Sequence, residues 1–161
     1  TTGWETEYEK ARTIAEKTGI GIVYGSNFSL GVNLFYRLVA AAGNLMSSFE
    51  NYDSYVEESH HRFKKDSPSG TAKNLLKTLT RYYKEDVPVT SVRAGYIPGT
   101  HAVSFDSVVD TITLRHTARS RQGFAEGALV AARWIENRTG FYEFSDVMDF
   151  MINEEGESGH E

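Results

Sequence analysis

Residues 57–72 read EESHHRFKKDSPSGTA, and the reading of this stretch decides the fold. Just before it, residues 51–58 (NYDSYVEE) alternate, with Tyr52, Ser54, Val56 and Glu58 on one side and Asp53, Tyr55 and Glu57 on the other. That period of two is the mark of a strand. Pro68 then interrupts regular structure, and Ser69 is placed to cap a helix that starts at Gly70 and carries Leu75, Leu76 and Leu79 at apolar spacing. The charged run His60, His61, Arg62, Lys64 and Lys65 is therefore expected on a connection from strand to helix. Ligand groups gather on such connections, and the free N–H groups of a helix N-terminus attract anions. Ser69, Gly70 and Thr71 thus read as a cradle for a carboxylate or phosphate, with glycine admitting close backbone approach and the two hydroxyls adding donors. The alternative is an ordinary N-cap beside a solvated basic loop.

HHRFKKDSPSGTA resembles the signature of the dihydrodipicolinate reductases, also called 4-hydroxy-tetrahydrodipicolinate reductases, whose pattern is E-[IV]-x-E-x-H-x-x-x-K-x-D-x-P-S-G-T-A. Val56, Glu58, His60, Lys64, Asp66, Pro68, Ser69, Gly70, Thr71 and Ala72 match, while Tyr55 stands where the pattern has its first glutamate. Further runs resemble the same family: Thr1, Thr2 and Gly3 the tail of a GTTG-like loop, SNFSLGVN at residues 26–33 a second nucleotide loop, and RAGYIPGTHAVSFDSVVDTITLRHTA at residues 93–118 a sheet segment. SRQGFAEGALVAARW and FYEFSDVMDF continue the likeness to about Met151.

Composition sets outer bounds. The chain has 161 residues, enough for a sizeable core, with 40% hydrophobic and 24% charged residues. A formal net charge of −5 argues against a nucleic-acid partner, so any basic site has to be local. There are no cysteines, which excludes disulfides and thiolate metal sites. The longest apolar runs are too short to span a bilayer and nothing resembles a signal peptide, so a cytoplasmic location is the default expectation.

Outward from the central stretch, Trp4, Tyr8, Ala11, Ile14 and Ala15 keep helical spacing, with Thr2 as a candidate cap and Gly19 as the stop. Residues 21–25 read as a short buried strand, and residues 30–49 as a long, largely apolar helix. A helix from Gly70 to about Lys84 follows. Strands are expected at residues 89–94, 102–108 and 111–117, the last two forming a hairpin through Val109 and Asp110. Residues 120–137 read as an amphipathic helix capped by Ser120 and ended by Gly140, residues 141–150 as a short closing helix, and the acidic tail from Glu154 as disordered.

The fold expected is α+β, a mixed β-sheet covered by helices from Leu30, Gly70 and Ser120. By the resemblance it is the substrate-binding and tetramerisation domain of a two-domain reductase whose Rossmann domain is largely missing from this sequence. Residues 1–29 would be the remnant of the dinucleotide-binding domain, 30–140 the substrate-binding and tetramerisation domain, and 141–161 a segment returning toward the nucleotide domain. The glycine fingerprint of a dinucleotide fold is not in the sequence, and a piece of a longer protein, inactive alone, is expected.

The activity implied is hydride transfer from NADH or NADPH to a small cyclic unsaturated dicarboxylate of lysine and diaminopimelate biosynthesis, with a proton delivered to the neighbouring carbon. By the family's motif His60 and Lys64 serve the acid step, and His61, Ser69, Gly70 and Thr71 hold a substrate carboxylate. Thr1, Thr2, Gly3, Ser26, Asn27, Phe28 and Ser29 would line the cofactor. A homotetramer is implied, with no nucleic-acid or membrane partner. Two rival readings stand beside this one. Four histidines, His60, His61, His101 and His116, could be counted as metal ligands, but adjacent residues on extended backbone point to opposite faces, so His60 and His61 make a poor chelating pair and no metal is expected. The other rival is a non-catalytic dicarboxylate-binding or oligomerisation module.

Overall fold

A computed structural model describes residues 4–158. In chain order its elements are α1 (Tyr8–Thr18), β1 (Gly21–Tyr24), α2 (Leu30–Met46), β2 (Asp53–His60), α3 (Gly70–Leu79), β3 (Val89–Arg93), β4 (Thr100–Asp106), β5 (Thr111–Thr117), α4 (Gln122–Ile135), β6 (Gly140–Glu143) and α5 (Phe144–Ser158). They form two compact units: Leu34–Arg121, and the residues up to Asn33 together with those from Gln122. The expected cap Thr2 lies outside the described residues.

The larger unit is built on a four-stranded mixed sheet of order β3-β2-β4-β5. β2 runs parallel to β3 and antiparallel to β4, and β4 is antiparallel to β5. β2 buries every second residue, Ser54, Val56, Glu58 and His60, so its alternation selects the face turned to the core. On that face Val56, Val103 and Phe105 meet Phe35 and Val39 of α2 and Leu75 and Leu79 of α3, all essentially buried. Each such large side chain contributes roughly 1.5–3 kcal/mol on leaving water. Leu75 and Leu79 are one helical turn apart, which is why α3 lies on the sheet with a single stripe.

Three boundaries differ from the sequence reading for traceable reasons. β2 continues two residues further, so Ser59 and His60 belong to the sheet and only the rest of the charged run is loop. α3 ends at Leu79 rather than near Lys84, because Tyr82 and Tyr83 turn back to donate to the Leu79 carbonyl and the Tyr83 ring stacks on Phe105. The β4–β5 connection is the four-residue turn from Ser107 to Asp110, closed by the Ser107 N–H on the Asp110 carbonyl at 2.9 Å.

The smaller unit has its own parallel pair, β1 with β6, in register from Gly21↔Gly140 to Tyr24↔Glu143. Residues 140–143 are thus strand, not the start of the closing helix. Asn137, at φ 61°, ends α4, and Gly140, at φ 130°, turns the chain into β6. Ala131 of α4 packs with Phe144, Val147 and Met148 of α5, joined by Phe28 and Trp134. The sequence reading placed α4 over the larger sheet; in the structure it packs on β1 and α5. α5 also runs to Ser158, into the stretch expected to be disordered, since elongating a formed helix adds a hydrogen bond per residue and glutamate favours the helix.

Candidate functional site

β2 ends in the middle of the sheet with Glu58 and His60 on its buried face, and three neighbouring segments supply their partners. β3 brings Arg93 opposite His60, β4 brings His101 opposite Glu58, and the loop before α3 brings Ser69. The Glu58 carboxylate is fully buried and accepts on both oxygens. Oε1 receives Arg93 Nη2 at 2.6 Å and the Ser69 N–H at 3.2 Å, and Oε2 meets His60 Nδ1. Burial alone would raise this carboxyl, but hydrogen bonds from Arg93 and Ser91, the nearby His60 and the Ser69 amide outweigh it and bring the pKa down to about 2. Glu58 is therefore an ion at neutral pH.

His60 and His101 stand edge to face with ring centroids 5.0 Å apart. Burial lowers the pKa of His60, against the pull of Glu58, and Lys64 and Arg93 lower it further. His101 is pushed down to about 4, by burial first and then by His60. Its Nε2 lies 3.0 Å from Ser69 Oγ, while its Nδ1 is buried without a partner. The other ring nitrogen of His60, Nε2, faces Gly99, where a Cβ would stand only 3.2 Å from it.

The helix cap takes the form expected. Ser69 Oγ accepts the Ala72 N–H at 3.2 Å, and the first intrahelical bond runs from Lys73 N–H to the Ser69 carbonyl at 2.9 Å. The N–H groups of Gly70 and Thr71 precede that bond, so no carbonyl of the helix itself takes them. Gly70 is exposed, and a Cβ there would meet nothing within 4 Å. Both donors of Ser69, by contrast, are engaged inside the protein, its N–H on Glu58 and its hydroxyl between Ala72 and His101. Lys64 Nζ pairs with Asp66 Oδ1 at 2.7 Å, and Arg93 Nη2 also donates to the Asp66 carbonyl at 2.6 Å, fastening the loop to β3. His61 follows the strand end; its ring lies 6.2 Å from that of Phe63, and its Nδ1 is buried without a partner.

Glu58, His60 and His101 offer donor atoms all within 4.8 Å of one another, close enough to meet one ion. The guanidinium already on Glu58 argues against a cation there, and neither His61 nor His116 belongs to the group. His116, opposite His101 on β5, packs instead near Phe35, at 5.9 Å between ring centroids.

The family model described as "Dihydrodipicolinate reductase, C-terminus" matches residues 31–148. The chain belongs to the dihydrodipicolinate reductase family. It is 41% identical over 164 residues to the 4-hydroxy-tetrahydrodipicolinate reductase of Christiangramia forsetii, covering 94% of this chain and 69% of that protein. The enzyme of the same name from Methanoregula boonei is 40% identical, with 92% of this chain and 63% of the relative covered. The chain thus spans about two thirds of the length of these relatives. In fold it resembles a dipicolinate-bound dihydrodipicolinate reductase from Paenisporosarcina sp. TG-14, with a TM-score of 0.74 and 22% identity over 91% of this chain and 62% of that one.

For this member of the reductase family, the residues expected at a cofactor are placed only in part. Thr1, Thr2 and Gly3 lie outside the described residues. Residues 26–29 form the turn between β1 and α2, and most of its side-chain polar groups hold the turn itself. Asn27 Oδ1 accepts the Ser29 N–H at 2.8 Å, Ser29 Oγ accepts the Val32 N–H at 3.3 Å, and Phe28 packs on Phe144 at 4.8 Å between ring centroids. Ser26 is exposed. Glu58, Arg93 and Asp66 were not among the residues given roles from sequence. Glu58 had a signal, since a carboxylate continues the inward series Ser54, Val56.

Proposed function

We propose that this chain carries the substrate half of an NAD(P)H-dependent reductase acting on a small cyclic unsaturated dicarboxylate on the diaminopimelate route to lysine. The observation that carries the reading is the continuous path from a buried histidine, His60, through Glu58 and Ser69 to the N-terminus of α3, where Gly70 is exposed. The relatives' shared name and the dipicolinate in the Paenisporosarcina structure support a dicarboxylate as the ligand. Gly70 and Thr71 hold one carboxylate with their N–H groups, Ser69 fixes the helix end they belong to, and His61 adds a ring nitrogen.

Either NADPH or NADH, when bound, supplies the hydride; residues 26–29, with Thr1, Thr2 and Gly3, would lie along it. The chain's own part is the proton. With Lys64 and Arg93 near and little water, His60 is neutral in the empty site. A bound dianion reverses the sign of that environment, so His60 takes up its proton as the substrate arrives and delivers it to the ring carbon from Nε2. Lys64, paired with Asp66 at rest, turns to the same anion and supports the transfer. The assembly is a homotetramer in the cytoplasm, without nucleic-acid or membrane partners; exposed Val108, Val109 and Ile112 around the β4–β5 turn support a subunit contact there, and among the described residues no helix is long and apolar enough to cross a membrane.

The test is NAD(P)H oxidation by the complete two-domain enzyme. His60→Gln and Lys64→Ala should each lower kcat by roughly 10²- to 10⁴-fold, the range of general acid catalysis. A kcat near normal in both variants contradicts the assignment.

A further inference from the structure

We propose that Glu58 is a positioning residue for the proposed reaction, one carboxylate that commits His60 Nδ1 to hydrogen bonding and leaves Nε2 as the only ring nitrogen able to reach a ligand. The inference deepens the functional reading above and rests on it for the reaction, but its geometry stands independently. Glu58 joins three separate segments: its own strand through His60, β3 through Arg93, and the cap of α3 through the Ser69 N–H.

The tautomer follows from the acceptor side. A carboxylate fixed as an ion by a guanidinium at 2.6 Å has only lone pairs to offer, so the hydrogen in its contact with His60 has to be on Nδ1. Neutral His60 then carries its proton on Nδ1 and a lone pair on Nε2, and the protonated ring presents Nε2–H to whatever lies in front of it. Gly99 leaves room there, because any side chain at that position would press on Nε2 at 3.2 Å. The groups acting on His60 from each packed element are Glu58 on its own strand, Arg93 on β3, His101 on β4 and Lys64 in the following loop. Of these only Glu58 is negative. It alone favours the charged ring against burial and two cations, so it sets how readily the ring accepts a proton. The same carboxylate holds the Ser69 amide, which ties the orientation of the acid to the orientation of the anion cradle.

The hydrogen bond fixes the tautomer, and the His60 midpoint reads how strongly the Glu58 charge acts on the ring. The experiment is a long-range ¹H–¹⁵N correlation of the histidine rings in the uniformly labelled 161-residue chain, which has five histidines. His60 is assigned by its loss in His60→Gln. In the unmutated chain, neutral His60 should show the pattern of a ring protonated at Nδ1. In Glu58→Gln its titration midpoint should fall by roughly one unit or more, the effect of removing an adjacent opposite charge, with the His116 midpoint unchanged. A ring protonated at Nε2, or a His60 midpoint unmoved in a folded Glu58→Gln chain, overturns the proposal. Because the tautomer is read without any substitution at Glu58, a variant that fails to fold cannot shelter it. The reading needs no turnover, so an inactive complete two-domain enzyme beside a chain with the Nδ1–H tautomer would refute the functional assignment while upholding this one.

Discussion

His101 and Glu58 both titrate lower in the folded protein than in the unfolded chain, and both shifts act on stability in the same direction. For His101 the drop from 6.5 to about 4 means that between those values the unfolded chain binds a proton that the folded one refuses, so stability is full above 6.5 and is lost as the pH falls toward 4. Glu58, lowered from 4.5 to about 2, adds a second loss between those values. At 1.36 kcal/mol per unit, the His101 contribution is on the order of 3 kcal/mol. Thermal melts should show a Tm that is flat above pH 6.5 and falls steadily between 6.5 and 4, with His101→Gln flattening that upper part; a flat profile in the unmutated chain across the same range would contradict the buried neutral ring. The sequence makes His60, Lys64 and the cap legible because they lie in one short run. It hides Arg93 and His101 as partners, since these reach Glu58 and His60 only through the registers β2 makes with β3 and β4.

α3 is an element whose start sequence and structure agree on, because its cap is a local hydrogen bond between Ser69 and Ala72. β6 is the opposite case. Four residues with two aromatics carry no period, and the strand exists because β1 lies alongside it in parallel, a pairing between segments more than a hundred residues apart. The position of α4 was likewise hidden, since its apolar set says which face is buried and not what covers it. Gly127 records the answer: a Cβ there would lie 1.6 Å from the Phe28 carbonyl oxygen, so α4 presses directly on the turn of residues 26–29. The obstacle is backbone and cannot swing aside. Gly127→Ala should therefore destabilise the smaller unit by about 1–3 kcal/mol or more, with a Tm lower by several degrees. An unchanged Tm would mean that α4 does not seat on that turn.

At the scale of the whole molecule, the fold class was legible because three strands alternate or run β-branched between helices with clear stripes, whereas the proposed assembly rests on exposed apolar side chains such as Val108, Val109 and Ile112, which no sequence period marks. Sedimentation at micromolar concentration should give a tetramer; a monomer alone would refute the subunit contact proposed at the β4–β5 turn. The central claim is that the start of α3 is an anion site built from local backbone, and therefore present in this chain by itself. Closure of a second domain would add affinity but not create the site. The most direct measurement is an amide NMR titration of the chain with pyridine-2,6-dicarboxylate, a planar dicarboxylate. The account predicts weak, saturable shifts at the N–H groups of Gly70 and Thr71, with affinity falling as salt is raised. Shifts elsewhere while those two amides stay still would place the anion site in another part of the protein.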